Sequence, residues 1–173
     1  MVESTDGVLA VYTDHVREIY AFCLRRLSAS HLAEEATNEV MARLVQAYSE
    51  LTQQGKSRQD VRHWLYGTAR NVIARFLRDA RRRREIGEEL ARRGRGRPDG
   101  RPDDNGRLDW PVLYRAIGKL DSLDQDILVL RYFQGMETLE IAAILGKNHA
   151  TIRSRLSRAT ERLRRDLEAS FGQ

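Results

Sequence analysis

The sequence predicts an all-α protein of two small helical domains joined by a flexible linker. Three observations carry this reading. Apolar residues recur at helical spacing over nearly the whole chain. The charge runs acidic, basic, acidic, basic, so that each half pairs one segment of each sign. Between the halves lies a stretch with too little apolar surface to offset its own ordering entropy.

In the first half, Val8, Val11, Tyr12, Val16, Ile19, Tyr20, Cys23, Leu24 and Leu27 trace a helix that ends near Ser28. A second helix, over 32–51, sets Ala36, Val40, Leu44, Ala47 and Leu51 along one stripe, with Glu35, Asn38, Ala42 and Gln46 opposite. Its flank is acidic: Glu34, Glu35, Glu39 and Glu50 face a single base, Arg43, between 31 and 51. After a loop from Thr52 to Lys56, Ser57 with Asp60 caps a third helix. Val61, Leu65, Ala69, Val72, Phe76 and Ala80 form its stripe, and Arg70, Asn71, Arg78 and Arg81 lie on the far side. Nine arginines against two aspartates fall between 57 and 84. Gly67, on that far side, costs a helix about 1 kcal/mol relative to alanine. It therefore points to a close approach, either of a bulky partner or of a neighbouring helix.

Residues 87–107, GEELARRGRGRPDGRPDDNGR, read as the flexible linker. They separate a domain at 1–86 from one at 108–173. In the second domain a helix runs from Trp110 to Leu120, with Pro111 in the first turn. Ser122 and Gln125 form a capping box for a helix that continues to Gly135. A brief helix from Thr138 to Leu145 stops at Gly146, and a longer one starts after Asn148 and reaches about Glu168. A short helix, a glycine-containing turn and a longer basic helix are the parts of a helix-turn-helix, whose second helix enters the major groove. On that helix Ile152, Leu156, Ala159 and Leu163 face inward. Thr151, Ser154, Arg155, Arg158, Arg162 and Arg165 spread over the other side, flanked by Arg153. A basic amphipathic helix that merely solvates itself has the same pattern.

Composition narrows the function. The net charge of +5, with only three lysines among 30 basic residues, favours the planar fork that suits phosphate and guanine. The lone cysteine, Cys23, can neither close an internal disulfide nor build a multi-cysteine metal cage, and its place on an apolar stripe is that of a core residue. No run of apolar residues reaches membrane-spanning length, and MVESTDG lacks the layout of a secretory signal, so a cytoplasmic protein without membrane insertion is expected. Four scattered histidines, no phosphate-cradling glycine loop and no nucleophile elbow predict neither catalysis nor a metal or cofactor.

Two sets of motifs then carry a resemblance. Residues 135–163, GMETLEIAAILGKNHATIRSRLSRATERL, resemble the region 4 helix-turn-helix of bacterial sigma-70-type factors, and LDSLDQDILVLRYF at 120–133 resembles the helix before it. HLAEEATNEVMARLV is similar to region 2.2, and WLYGTARNVIARFLRDARRRR to regions 2.3 and 2.4. Two such modules in this order, with only a linker between them, resemble the smallest, extracytoplasmic-function (ECF) group.

The resemblance implies a promoter-specificity subunit of RNA polymerase. Glu35, Asn38 and Glu39 fall where the family docks on the clamp helices of the polymerase beta-prime subunit, and the second domain is expected to meet the beta flap. Asn71 falls where a flipped base of the minus 10 element is bound, and Arg70, Arg75, Arg78 and Arg81 are expected beside it on the melted strand. Thr151, Arg153, Ser154, Arg155 and Arg158 fall on the surface that reads the minus 35 element. Core RNA polymerase, promoter DNA and an anti-sigma factor are the partners implied. The sequence departs from the family pattern at Arg75, where an acid is usual, and at Asn38, Met41, Glu137 and Ala150. The alternative is a helix-turn-helix regulator that acts without polymerase, its first domain serving dimerisation. An enzyme is the third reading.

Overall fold

The computed structural model describes residues 2–91 and 110–171, and among these it contains helices and no strands. The first domain is a bundle of α1 (Val2–Leu27), α2 (Ser30–Gln53) and α3 (Arg58–Ala91). Ser28 breaks the chain between α1 and α2 by taking a left-handed φ of 55°, and its amide closes on the Leu24 carbonyl at 2.9 Å. The cap expected at Ser57 forms in both directions. Ser57 Oγ accepts from the Asp60 amide at 3.1 Å, and Asp60 Oδ2 accepts from the Ser57 amide at 2.9 Å. The centres of the stripes read from the sequence are buried: Ile19 and Cys23, Ala36, Val40 and Leu44, Leu65, Ala69 and Val72 are essentially sealed from solvent, whereas Tyr12, placed on the first stripe, is exposed. Phe22 meets Tyr66 edge to face, with ring centroids 5.3 Å apart.

Helix α3 runs on to Ala91, past position 86 where the first domain was expected to end. Glu88, Glu89, Leu90 and Ala91 are good helix formers, and the helix absorbs Gly87 to continue through them. The rest of the expected linker, 92–107, lies outside the described residues, as do the first two positions of the expected second domain, 108 and 109.

The second domain contains α4 (Trp110–Gly118), α5 (Ser122–Leu128), α6 (Thr138–Leu145) and α7 (His149–Phe171). The expected Ser122–Gln125 capping box is replaced by a cap one residue earlier. Asp121 is in extended geometry and its carboxylate accepts from the Asp124 amide at 3.0 Å, the kind of residue that caps most strongly. This places Ser122 inside the helix and frees it, with Gln125, for other partners. Beyond α5 the chain does not stay α-helical to Gly135 but widens into a π-helical turn, Val129–Phe133, in which the Gln134 amide reaches the Val129 carbonyl at 3.2 Å. Five consecutive residues, Asp126 to Leu130, are buried around this transition. Gly146 ends α6 at a left-handed φ of 59°, where a side chain would be strained, and Asn148 Oδ1 receives the Ala150 amide at 2.8 Å at the start of α7. These are the turn and cap that the sequence assigns to a helix-turn-helix.

The two domains are docked on one another, which the sequence reading of a loose tether did not foresee. One continuous buried cluster joins Phe22, Leu65 and Tyr66 of the first to Ile127, Leu130, Met136, Ile141 and Ile152 of the second. A smaller cluster of Leu120, Leu128 and Ala159 holds α7 to its own domain. Gly67 faces the end of α6: a Cβ there would sit 3.8 Å from the Ile144 carbonyl. That is an ordinary van der Waals distance, so α6 is the neighbour at this position but its approach leaves room for a side-chain methyl and does not require the glycine.

Candidate nucleic-acid interface

Helix α2 presents its acidic flank outward. Glu35 and Asn38 are exposed and Glu39 is half-buried, while Ala36, Thr37 and Val40 turn inward. Glu39 does not stand alone. It accepts from Arg43 Nη2 at 2.6 Å one turn on, and from Arg75 Nη2 across the α2–α3 groove. The Arg75 hydrogen bond, helped by Arg43, holds the Glu39 carboxyl below its usual range. Arg75, expected beside the melted strand, is therefore a bridge between the acidic and basic helices in this structure. Its guanidinium also lies 5.4 Å from the Phe76 ring centroid.

On α3, Asn71, Arg78 and Arg81 are exposed, as the far-side assignment requires. Arg70 is not open in the same way: its Nε donates to Asp126 Oδ2 of the second domain at 3.0 Å, leaving the side chain 35% exposed. On α7, Thr151, Arg153, Ser154 and Arg158 are exposed, as are Arg162 and Arg165, with Arg153 on the flank opposite Arg162. Arg155 is turned aside. Its Nη1 donates to Asp121 at 2.8 Å and to Asp124 at 2.7 Å, so it braces α7 against the start of α5. The helical spacing that put Arg155 among the base readers carries no information about acids on another helix.

The residues that sequence reasoning missed lie between the domains. Arg26 is almost wholly enclosed and spends its guanidinium on α5: Nε on Asp126 at 2.7 Å, Nη2 on Ser122 Oγ at 2.9 Å, and Nη1 on Gln125 Oε1. Tyr66 donates to Gln134 Oε1 at 3.1 Å, Gln59 donates to Glu140 Oε1 at 3.1 Å, and the Arg25 guanidinium covers the Phe133 ring at 4.8 Å. A signal was present: Asp126 shares a helical face with Leu123 and Leu130, and Arg26 shares one with Ile19 and Phe22. A lone charge of each sign on an apolar stripe marks a buried pair.

Several carboxylates give the fold an acid limit. Arg75 acts on Glu39 as above; the Glu137 amide, with Arg62 and His63 nearby, lowers Glu140; Arg164 lowers the exposed Glu161. A depressed folded pKa means that the unfolded chain binds protons first, so the stabilisation is complete above the ordinary carboxylate range and is lost as pH falls through the folded values. Urea midpoints measured at stepped pH should be flat from neutrality down to that range and then fall. A midpoint that rises on acidification would contradict the pairing. Among the described residues no group of histidine, cysteine and carboxylate side chains has the arrangement of a metal site. None of the described helices is long and apolar enough to cross a membrane.

An acidic helix packed beside an arginine-lined one, followed by a helix-turn-helix with a basic outer surface, is the arrangement that the resemblance to polymerase specificity subunits implies. Comparison with known proteins agrees. Residues 11–83 match Sigma-70 region 2 and residues 112–163 match Sigma-70, region 4. The chain is similar to the ECF RNA polymerase sigma factor SigL of Mycobacterium tuberculosis, with 30% identity over 161 residues that cover 92% of this chain and 88% of SigL. It is also similar to the ECF RNA polymerase sigma factor BldN of Streptomyces coelicolor, at 28% identity over 92% of this chain, which spans 60% of BldN. In fold it resembles the sigma factor RpoE of Bartonella quintana, solved in complex with the anti-sigma factor NepR, with a TM-score of 0.63 and 23% identity over 97% of this chain and 98% of that one. The chain belongs to the sigma-70 family, in its ECF group.

Proposed function

We propose that this sigma factor works in the cytoplasm, without chemistry of its own, by joining core polymerase through α2 and promoter DNA through α3 and α7. The observation that carries this reading is the adjacency on one domain of exposed Glu35 and Asn38 with exposed Asn71, Arg78 and Arg81. The carboxylates suit a cationic helical surface on the beta-prime clamp, and the second domain suits the beta flap. Asn71 offers one donor and one acceptor to the edge of an unstacked base, and the arginines neutralise the phosphates of the melted strand. Residues 1–86 form the unit that handles the minus 10 element and residues 108–173 the unit that reads the minus 35 element, with 87–107 between them. Arg75 and Arg70 reach DNA only after leaving Glu39 and Asp126. An anti-sigma factor is a further partner, by analogy with Bartonella quintana RpoE, whose crystals contain one.

On the recognition helix, Thr151, Arg153, Ser154 and Arg158 lie on the surface offered to the major groove, and Arg155 orients it from behind. Replacing Arg153 or Arg158 by alanine should cost about 1–3 kcal/mol of promoter affinity and relax preference at particular upstream base pairs. Binding assays across a set of singly altered minus 35 elements check this. A uniform loss across the set would assign that arginine to phosphate instead.

The polymerase contact is tested by gel filtration of the full chain with core enzyme. Co-elution is expected, together with its loss on Glu35→Lys. Failure of the unaltered chain to co-elute, combined with a symmetric duplex footprint, would instead favour a regulator that acts without polymerase.

A further inference from the structure

Near the end of α1 two adjacent arginines are used differently. Arg26 turns inward, and each of its nitrogens is engaged by α5. Arg25 instead lines a cleft of about 430 Å³ between α1 and α4, whose other walls are Tyr20, Ala21, Leu24, Ser28 and Tyr114. That volume is of the order of small-molecule sites. The walls are mostly apolar and aromatic, and Arg25 is the single charged residue among them. Its guanidinium is held in two ways: Nη1 donates to the Ala21 carbonyl at 3.1 Å, and the face covers the Phe133 ring at 4.8 Å. Phe133 stacks in turn on Tyr114, with ring centroids 6.5 Å apart and planes 18° from parallel. The Arg25 Nε is buried and donates to no group among the described residues. A buried cationic N–H without an acceptor is costly, so this cleft keeps a donor that an acceptor from outside the chain can meet.

We propose that this cleft binds a small aromatic carboxylate, with the carboxylate on the Nε side of Arg25 and the ring among Tyr20, Leu24 and Tyr114. Charge selects the head group: no acid lines the cleft, and a planar guanidinium already fixed on Phe133 presents its fork to a carboxylate with little rotamer freedom left to lose. Shape selects the body, because two tyrosines and a leucine offer flat apolar surface on which a planar ring packs well. Ser28, at the exposed left-handed turn after α1, adds a hydroxyl at the rim. The residues that make the cleft are not those assigned above to polymerase or to DNA, so this site stands or falls independently of that reading.

The test titrates the full-length chain into β-naphthoate, and separately into its neutral analogue β-naphthamide, with affinity read from broadening of the ligand's proton NMR lines. The carboxylate should bind with a Kd between about 10 μM and about 1 mM, the span expected for a molecule of that size. The amide should bind about tenfold or more weakly, because it cannot form the charge-assisted pair. For the carboxylate, Arg25→Gln should lose about tenfold in affinity, and Tyr114→Ala about fivefold through the lost ring contact. Arg17→Gln, which removes an exposed arginine from the same helix, should leave the affinity unchanged. Each variant is first matched to the parent by circular dichroism, and if Arg25→Gln fails that match, the comparison of acid with amide on the unaltered chain still decides. Absence of carboxylate binding at about 1 mM, equal affinity for acid and amide, or a titration unmoved by Arg25→Gln or by Tyr114→Ala overturns the site. So does a loss in Arg17→Gln as large as that in Arg25→Gln, since it would mean diffuse attraction to a basic surface and not to this cleft.

Discussion

Replacing Arg26 by alanine should destabilise the protein by about 3–5 kcal/mol, the usual result of leaving one member of a buried ion pair without its partner. The reasoning follows the geometry. Arg26 and Asp126 side chains are 3% and 2% exposed, so water cannot take over the lost contacts. Truncation also deprives Ser122 Oγ and Gln125 Oε1 of a donor. Arg70 remains beside Asp126 but is partly solvated and supplies one hydrogen bond only. The pair itself is another matter, because burying two charges costs nearly as much as their attraction returns. Arg26→Met combined with Asp126→Leu should therefore recover most of the loss. Urea denaturation of the two single variants, the double variant and the parent measures this, and strictly additive losses would show that the two residues do not act on one another.

Phe22→Ala should be of similar size, about 3–5 kcal/mol, for an unrelated reason. Phe22 is 1% exposed and its ring stands edge-on to Tyr66, whose hydroxyl is tied to Gln134 of the second domain. Removing it empties the point where the first domain's bundle supports the docking surface, and helices pinned on several sides cannot collapse to fill it. Phe22→Leu keeps most of the volume and should cost much less. Denaturant titration separates the two, and a loss under about 1 kcal/mol for the alanine variant would mean that the site repacks.

The contrast between these residues shows what the sequence displays and what it conceals. Ile19, Val40, Leu44, Leu65 and Ala69 are legible because helical period is a local property, and so are the Ser57–Asp60 cap and the turn at Gly146. Exposed Asn71, Arg78, Arg153 and Arg158 follow from the same geometry. Arg70, Arg75 and Arg155 do not, since each is claimed by an acid that lies elsewhere in the chain, at Asp126, Glu39, and Asp121 with Asp124. Periodicity tells which way a side chain points from its own helix and nothing of what waits there. Docking of the domains was hidden for a related reason: its polar contacts join residues 56 to 100 positions apart, between stripes that each look complete. The π-helical turn after α5 left no mark at all, because LVLRYF reads as a plain helical continuation.

Transcription in vitro on a randomised promoter library, with core polymerase and the full chain, tests the central claim most directly. The account predicts initiation that depends on this chain and selects templates sharing both an upstream duplex element and a melted downstream one, with the downstream preference lost on Asn71→Ala. Transcripts that arise equally without the chain, or a downstream preference that survives Asn71→Ala, would contradict it.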